Sequence, residues 1–215
     1  MIEPDSGEEK MNAKKTAFVA ILSALGITLS LISLNVAPFL GSGQGGAALD
    51  LSHIATFVAA FFGGPLVGAL VGFLSGIYAG YYFGYVMGSL GLLSVIGVPV
   101  GKAMTGLLAG FLYKKTGVSS GARRSSWALP LTLFSYIPES IYTVFYFLFL
   151  VTLFGTPAMA FMIPLVIPKA WIEITVMSLL MGALAGNSGF RQFMNRFFYV
   201  WPQKNLPSKE NKIVQ

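Results

Sequence analysis

The 215-residue chain contains no cysteine and a single histidine. Disulfide frameworks, thiolate metal centres, a thiol nucleophile and the two-histidine zinc motifs are therefore excluded, and no metal site is expected. Charge is scarce as well. Only 10% of residues are Asp, Glu, Lys or Arg, whereas 55% are hydrophobic, against roughly 25% charged in an average globular chain. With a mean hydropathy of +0.72, the excess apolar surface needs lipid as its solvent. The formal net charge of +6 does not imply nucleic acid, because the basic residues flank long apolar runs and suit anionic lipid headgroups.

A membrane helix needs about 20 mostly apolar residues. From Thr16 to Tyr113 the ionisable residues among Asp, Glu, Lys, Arg and His are Asp50, His53 and Lys102, and from Ser125 to Phe190 they are Glu139, Lys169 and Glu173. Polar punctuation predicts six spans: Thr16 to about Leu34, 49 to 63, Pro65 to about Phe83, about Leu90 to Tyr113, Trp127 to about Phe154, and about Pro164 to Gly186. The glycine-rich segment 41–48 links the first two, and Pro65 suits the first turn of a new helix. Even parity puts both termini on one side. With the termini cytoplasmic, 12 of the 14 basic residues lie inside and the other two, Lys102 and Lys169, lie within spans, a positive-inside pattern. The expected fold is thus an all-α integral membrane protein, a bundle of six transmembrane helices with both termini cytoplasmic.

Residues 1–15 form a cytoplasmic tail, 16–187 the membrane domain, and 188–215 an amphipathic helix and polar tail. The start offers no small-residue cleavage site after its first apolar stretch, so the first span is expected to remain. In FRQFMNRFFYVW, Phe190, Phe193, Met194, Phe197, Phe198 and Trp201 share a face opposite Arg191, Gln192, Asn195 and Arg196, which predicts a helix in the inner headgroup layer, as an anchor or a docking surface. Gly64, Gly68, Gly72, Gly76, Gly80, Gly84 and Gly88 recur at every fourth position. Such small-residue rows let helices approach closely in lipid, and the drift of about 40° per step predicts more than one neighbour along the row.

Six ionisable groups inside a bilayer are functional-site candidates, each costing about 3 kcal/mol or more to place there. Under the assigned topology they gather in the outer half, which describes a cavity open to the exterior. Lys169 and Glu173 stand at i and i+4 and can pair with each other; Asp50 can cap the second span. Lys102 and Glu139 have no partner on their own helices and either pair across spans or meet a ligand. Tyr136, Glu139, Thr143 and Tyr146 form one polar and aromatic stripe, and Trp171 lies between Lys169 and Glu173. The candidate substrate-binding set is therefore Asp50, His53, Lys102, Tyr136, Glu139, Thr143, Tyr146, Lys169, Trp171 and Glu173. Tyr78, Tyr81, Tyr82 and Tyr85 read as an interfacial aromatic belt. No GxSxG, HExxH or Walker-type sequence occurs, so no enzyme and no cofactor is expected.

The stretch LDLSHIATFVAAFFGGPLVGALVGFLSGI at 49–77 resembles the substrate-binding S component of energy-coupling factor (ECF) transporters, and the resemblance extends over about residues 13–187. It implies a prokaryotic cell-membrane protein that captures a vitamin or related micronutrient at the outer face. It further implies partnership with a coupling transmembrane subunit and two ATP-binding-cassette ATPases, and a lid formed by the loop from Asn35 to Leu49. In AFVAILSALG, Ala20 and Ala24 match the family's AxxxA docking pattern, with Ala13 and Ala17 as a second frame. The extension after Asn187 departs from the family, and the lack of arginine in the site argues against a phosphate-bearing cargo. The residues alone suggest a small, polar, ring-bearing molecule, with zwitterions included. They also leave open a self-sufficient secondary transporter in which Glu139 or Glu173 relays protons, and a scaffold without cargo.

Overall fold

A computed structural model describes residues 6–36, 50–86, 88, 91–118, 126–155 and 158–198. The expected lid over 37–49, Arg123 and Arg124, and the tail beyond 198 with Trp201 lie outside the described residues. Every regular element described is helical: α1 (Ser6–Val36), α2 (His53–Tyr81) running into a π-helical turn (Tyr82–Val86), α3 (Ser94–Thr116), α4 (Ala128–Ser135), α5 (Ile137–Phe154), α6 (Ala158–Gly186) and α7 (Ser188–Phe198). Among the described residues, five helical stretches are long and apolar enough to cross a membrane, with α4 and α5 counted as one stretch. Large apolar side chains point outward from the bundle, including Leu66 at 75% exposure, Phe145 at 67% and Phe161 at 74%. In water such a surface would associate; in lipid it is matched to its solvent.

The second and third expected spans form one helical element, but it is not straight. Gly64 sits at φ 80° and ψ −171°, a backbone that glycine adopts without a Cβ penalty, and Pro65 follows it without an N–H to continue the ladder. The chain folds back at this point. Thr56 Oγ1 and Ser75 Oγ lie 3.4 Å apart, whereas 19 residues of straight helix would separate them by about 28 Å. α2 is therefore a hairpin of two antiparallel arms, the first only 11 residues long. At 1.5 Å per residue the first arm is about 16 Å long, half the hydrocarbon thickness, so its start ends among other helices. The expected fifth span is also divided, at Tyr136, into α4 and α5.

The glycine row lies almost entirely against α3. A Cβ at Gly68 would stand 2.6 Å from the Gly106 carbonyl oxygen, one at Gly72 2.5 Å from that of Lys102, and one at Gly76 2.7 Å from Pro99 Cα. α3 thus follows the drift of the row. The first arm of α2 closes the other flank, since the same Gly68 Cβ would lie 2.7 Å from Ala60 Cβ. More than one neighbour was expected, and the row has two, α3 along most of its length and the first arm of α2 at Ala60 and Thr56. α1 adds Phe18, Leu22, Ser30 and Leu34 to the interior, and its Gly26 comes close enough that a Cβ would stand 2.5 Å from Ser75 Cβ.

One end of the bundle gathers the start of α1, the Gly64 turn, the end of α3, the start of α4, the end of α6 and α7. Phe18, Tyr113, Ala128 and Ala185 share a core there, and the Tyr113 hydroxyl meets the Thr132 hydroxyl. Asn187 starts α7 by accepting a hydrogen bond from the Phe190 N–H through Oδ1 at 2.9 Å, the usual work of an asparagine N-cap. The apolar face of α7 makes contacts within the protein. Met194 is buried at 4% and Phe190 meets Phe62 edge-on at 5.8 Å, so part of this face packs on the bundle, while Phe193 stays half exposed.

Candidate functional site

The short first arm of α2 explains the site. It drops Asp50, Ser52 and His53 into the bundle, and all three are buried, at 8%, 0% and 5%. Lys102 projects from α3 and its ammonium group contacts both the Asp50 carboxylate and the Ser52 hydroxyl. Asp50 Oδ1 accepts the Ser52 N–H at 3.0 Å, so Asp50 braces the turn before α2 while its other oxygen takes the lysine. Ser52 occupies the N-cap position with no side-chain cap bond; the expected capping role of Asp50 gives way to this ion pair.

Glu139, in the first turn of α5, does not pair with Lys102. Its Oε2 accepts the Thr105 hydroxyl at 2.5 Å and lies 3.3 Å from His53 Nε2. Thr105 is one helical turn from Lys102 on α3, so each pairing ties α3 to the start of α2 or α5. Lys169 and Glu173 on α6 do pair, at 3.1 Å, and Glu173 Oε1 also accepts the Asp50 N–H at 2.7 Å. Two ion pairs, Lys102–Asp50 and Lys169–Glu173, together with the His53–Glu139 contact and the Asp50 N–H bond to Glu173, therefore link four elements: the start of α2, α3, α5 and α6. In a low-dielectric interior such pairing is what makes buried charge tolerable.

These groups border a cavity of about 130 Å³. Nine of the ten residues expected from the sequence line it: Asp50, His53, Lys102, Tyr136, Glu139, Thr143, Tyr146, Lys169 and Glu173. Trp171 does not. It stands behind the wall, donating from Nε1 to Ser140 Oγ at 3.2 Å and meeting Tyr136 edge-on at 5.3 Å. The tyrosines near the end of α2 are not in the lining either, whereas Phe83 from the π-helical turn is. Tyr142 was missed, although it stands one turn from Glu139 on the same stripe; its ring stacks on Tyr146 at 5.7 Å and 16°. Gly97 and Gly101 on α3 also belong to the lining. They face the cavity, because a Cβ at Gly97 would run into the Tyr146 ring and one at Gly101 would lie 3.3 Å from Glu139 Cγ.

The cavity has two characters. One wall carries the charges, and the other is made of Phe83, Val98, Phe147 and Val166 with the stacked tyrosines. Lys102 is eight residues from the start of α3 and fourteen from its end, so the site lies nearer the end of the bundle opposite Lys114, Lys115 and α7. Ala20 and Ala24 lie far from it. Both are exposed on the outer face of α1, as are Ala13 and Ala17.

A helical membrane bundle enclosing a polar and aromatic cavity defines an integral membrane protein with an internal binding site. A family model described as "ECF transporter, substrate-specific component" matches residues 14–185, and the chain belongs to that family. Its class is transmembrane transport: S components bind a small-molecule substrate and associate with an ECF module of transmembrane and ATPase subunits, and they are transport proteins rather than enzymes. No curated protein and no solved structure matched the chain.

Proposed function

We propose that this chain captures a vitamin or related micronutrient in the cavity between α2, α3, α5 and α6. A coupling transmembrane subunit and two ABC ATPases then energise its import. The observation that carries the reading is the meeting of three carboxylates, two lysines and a histidine with an aromatic wall around one cavity. Ionisable groups are expensive at such a depth and are kept where they serve a ligand or pathway. The six crossings, the cytoplasmic termini and the outward-facing cavity belong to the same proposal. They are supported by the hairpin at Gly64 and by the grouping of the Lys14, Lys114 and Arg191 regions at the end away from the cavity. The exposed small residues Ala20 and Ala24 suit a coupling subunit that packs closely against α1.

Gentle purification followed by mass spectrometry of the co-purifying small molecule tests the capture step. The parent should carry a stoichiometric ligand, and Glu139→Gln and Glu173→Gln should lose it by about 30-fold or more in affinity. Undiminished binding by both variants would place the cargo elsewhere. Uptake by the purified chain alone, driven by a proton gradient, would favour the secondary-transporter reading.

A further inference from the structure

The cavity lining carries more negative than positive charge. Asp50 has both oxygens engaged, by the Ser52 N–H and by Lys102. Glu139 and Glu173 each use one oxygen twice: Glu139 Oε2 takes Thr105 and His53, and Glu173 Oε1 takes the Asp50 N–H and Lys169. Glu139 Oε1 and Glu173 Oε2 have no partner among the described residues, and neither is sealed off from the cavity that both residues line. Each carboxylate oxygen can accept about two hydrogen bonds. On the donor side, the Lys102 ammonium is already turned to Asp50 and Ser52. His53, 5% exposed and part of the lining, leaves Nδ1 unpartnered. Three carboxylates face two ammonium groups, so one negative charge remains over when the imidazole is neutral.

A surplus negative charge in a low-dielectric cavity is costly until a positive group joins it. The opposite wall suits an aromatic group, since Tyr142, Tyr146 and Phe147 line it, and aromatic rings draw a cation through their quadrupole. Volume sets its size: about 130 Å³ is close to the roughly 150 Å³ of a buried cavity that holds one benzene. Resting on the assignment of this cavity as the capture site, we infer that the cargo is a single-ring nitrogen cation whose N–H groups address Glu139 and Glu173 while its ring faces the tyrosine pair. An anionic cargo would meet three carboxylates there, with Lys102 and Lys169 already paired to two of them.

Binding of 4-aminopyridine, aniline and benzoate to the full-length protein in detergent tests this by calorimetry at neutral pH. 4-Aminopyridine is a flat cation there, and aniline is its neutral isostere. 4-Aminopyridine should bind at least about tenfold more tightly than aniline, as expected for one charge-assisted hydrogen bond, and benzoate weakest of the three. Glu139→Gln and Glu173→Gln should each reduce that preference, and Thr143→Trp, which fills the cavity and removes no charge, should abolish binding of all three. Equal binding of 4-aminopyridine and aniline, or preference for benzoate, with Thr143→Trp still blocking, overturns the cationic assignment and leaves the capture site standing. Binding insensitive to Thr143→Trp, or no binding of any probe, overturns both.

Discussion

Lys102→Met isolates the Asp50 carboxylate. The lysine is 2% exposed and is the cation in contact with Asp50, which is 8% exposed; the Ser52 hydroxyl loses its donor in the same step. Removing one partner of a buried pair leaves an uncompensated charge and costs about 3 to 5 kcal/mol. Asp50→Asn alone should cost a comparable amount by stranding the lysine. The double variant removes both charges and retains similar volume, so it should recover most of the loss, with a coupling energy of about 2 kcal/mol. Thermal unfolding in detergent, followed by tryptophan emission and by the aggregating fraction, reads both the singles and the double. If the double variant is destabilised by the sum of the singles, the ion pair carries no coupling and the reasoning fails. Stability separates this effect from cargo binding, which rests on Glu139 and Glu173 outside the pair.

Gly72→Val should prevent stable folding, because even its first carbon would meet the Lys102 carbonyl at 2.5 Å, whereas Gly182→Ala, whose added carbon finds nothing nearer than Leu129 Cβ at 3.9 Å, should be tolerated. Yields of monodisperse protein distinguish them; equal yields would refute the close-packing account. Impermeant labelling of single cysteines should reach position 155 from outside and positions 120 and 208 only from inside, and labelling of 120 from outside would reverse the orientation. Replacing Ala20 and Ala24 together with Leu or Trp should leave cargo binding by the isolated chain intact and abolish co-purification with the energising subunits. Transport at the parental rate would acquit this face of α1.

Most of the site was legible because charge is conspicuous in an apolar chain. Six ionisable residues in two long apolar stretches of sequence, together with the i, i+3, i+7 stripe on α5, pointed to nine lining residues. Their partners were not legible, because pairing across helices depends on depth and tilt that spacing does not encode. Lys102 finds Asp50 rather than Glu139 only because the first arm of α2 stops halfway through the bundle. That length could be read as a short second span, yet its consequence, a helix start among buried neighbours, needed the third dimension. Trp171 shows the opposite limit: standing between two lining residues in sequence, it lies about 200° around the helix from each of them and turns instead to Ser140. The glycine row predicted close packing; that Gly97 and Gly101 would admit the tyrosine stripe required knowing which helix lies opposite.

The two halves of the cavity are held by different means, and this predicts how they respond to change. Its α2 and α3 side is fixed by backbone contact through glycines, where an added carbon has nowhere to go. Its α5 and α6 side is built by side chains on helices whose other faces are largely exposed, with Ile141, Phe145, Ile172 and Val176 pointing outward. Substitutions on that side should therefore alter cargo preference at little cost to the fold. Tyr142→Phe keeps the stack on Tyr146 and removes only a hydroxyl, so unfolding should shift by less than about 1 kcal/mol, while cargo affinity changes according to whether the hydroxyl is used. Gly97→Ala should change both together, because the new methyl displaces the Tyr146 ring from its seat on α3. Measuring affinity and thermal stability on the same two preparations decides the matter. If Tyr142→Phe unfolds the protein, or Gly97→Ala leaves both properties unchanged, the division into a fixed frame and an adjustable lining is wrong.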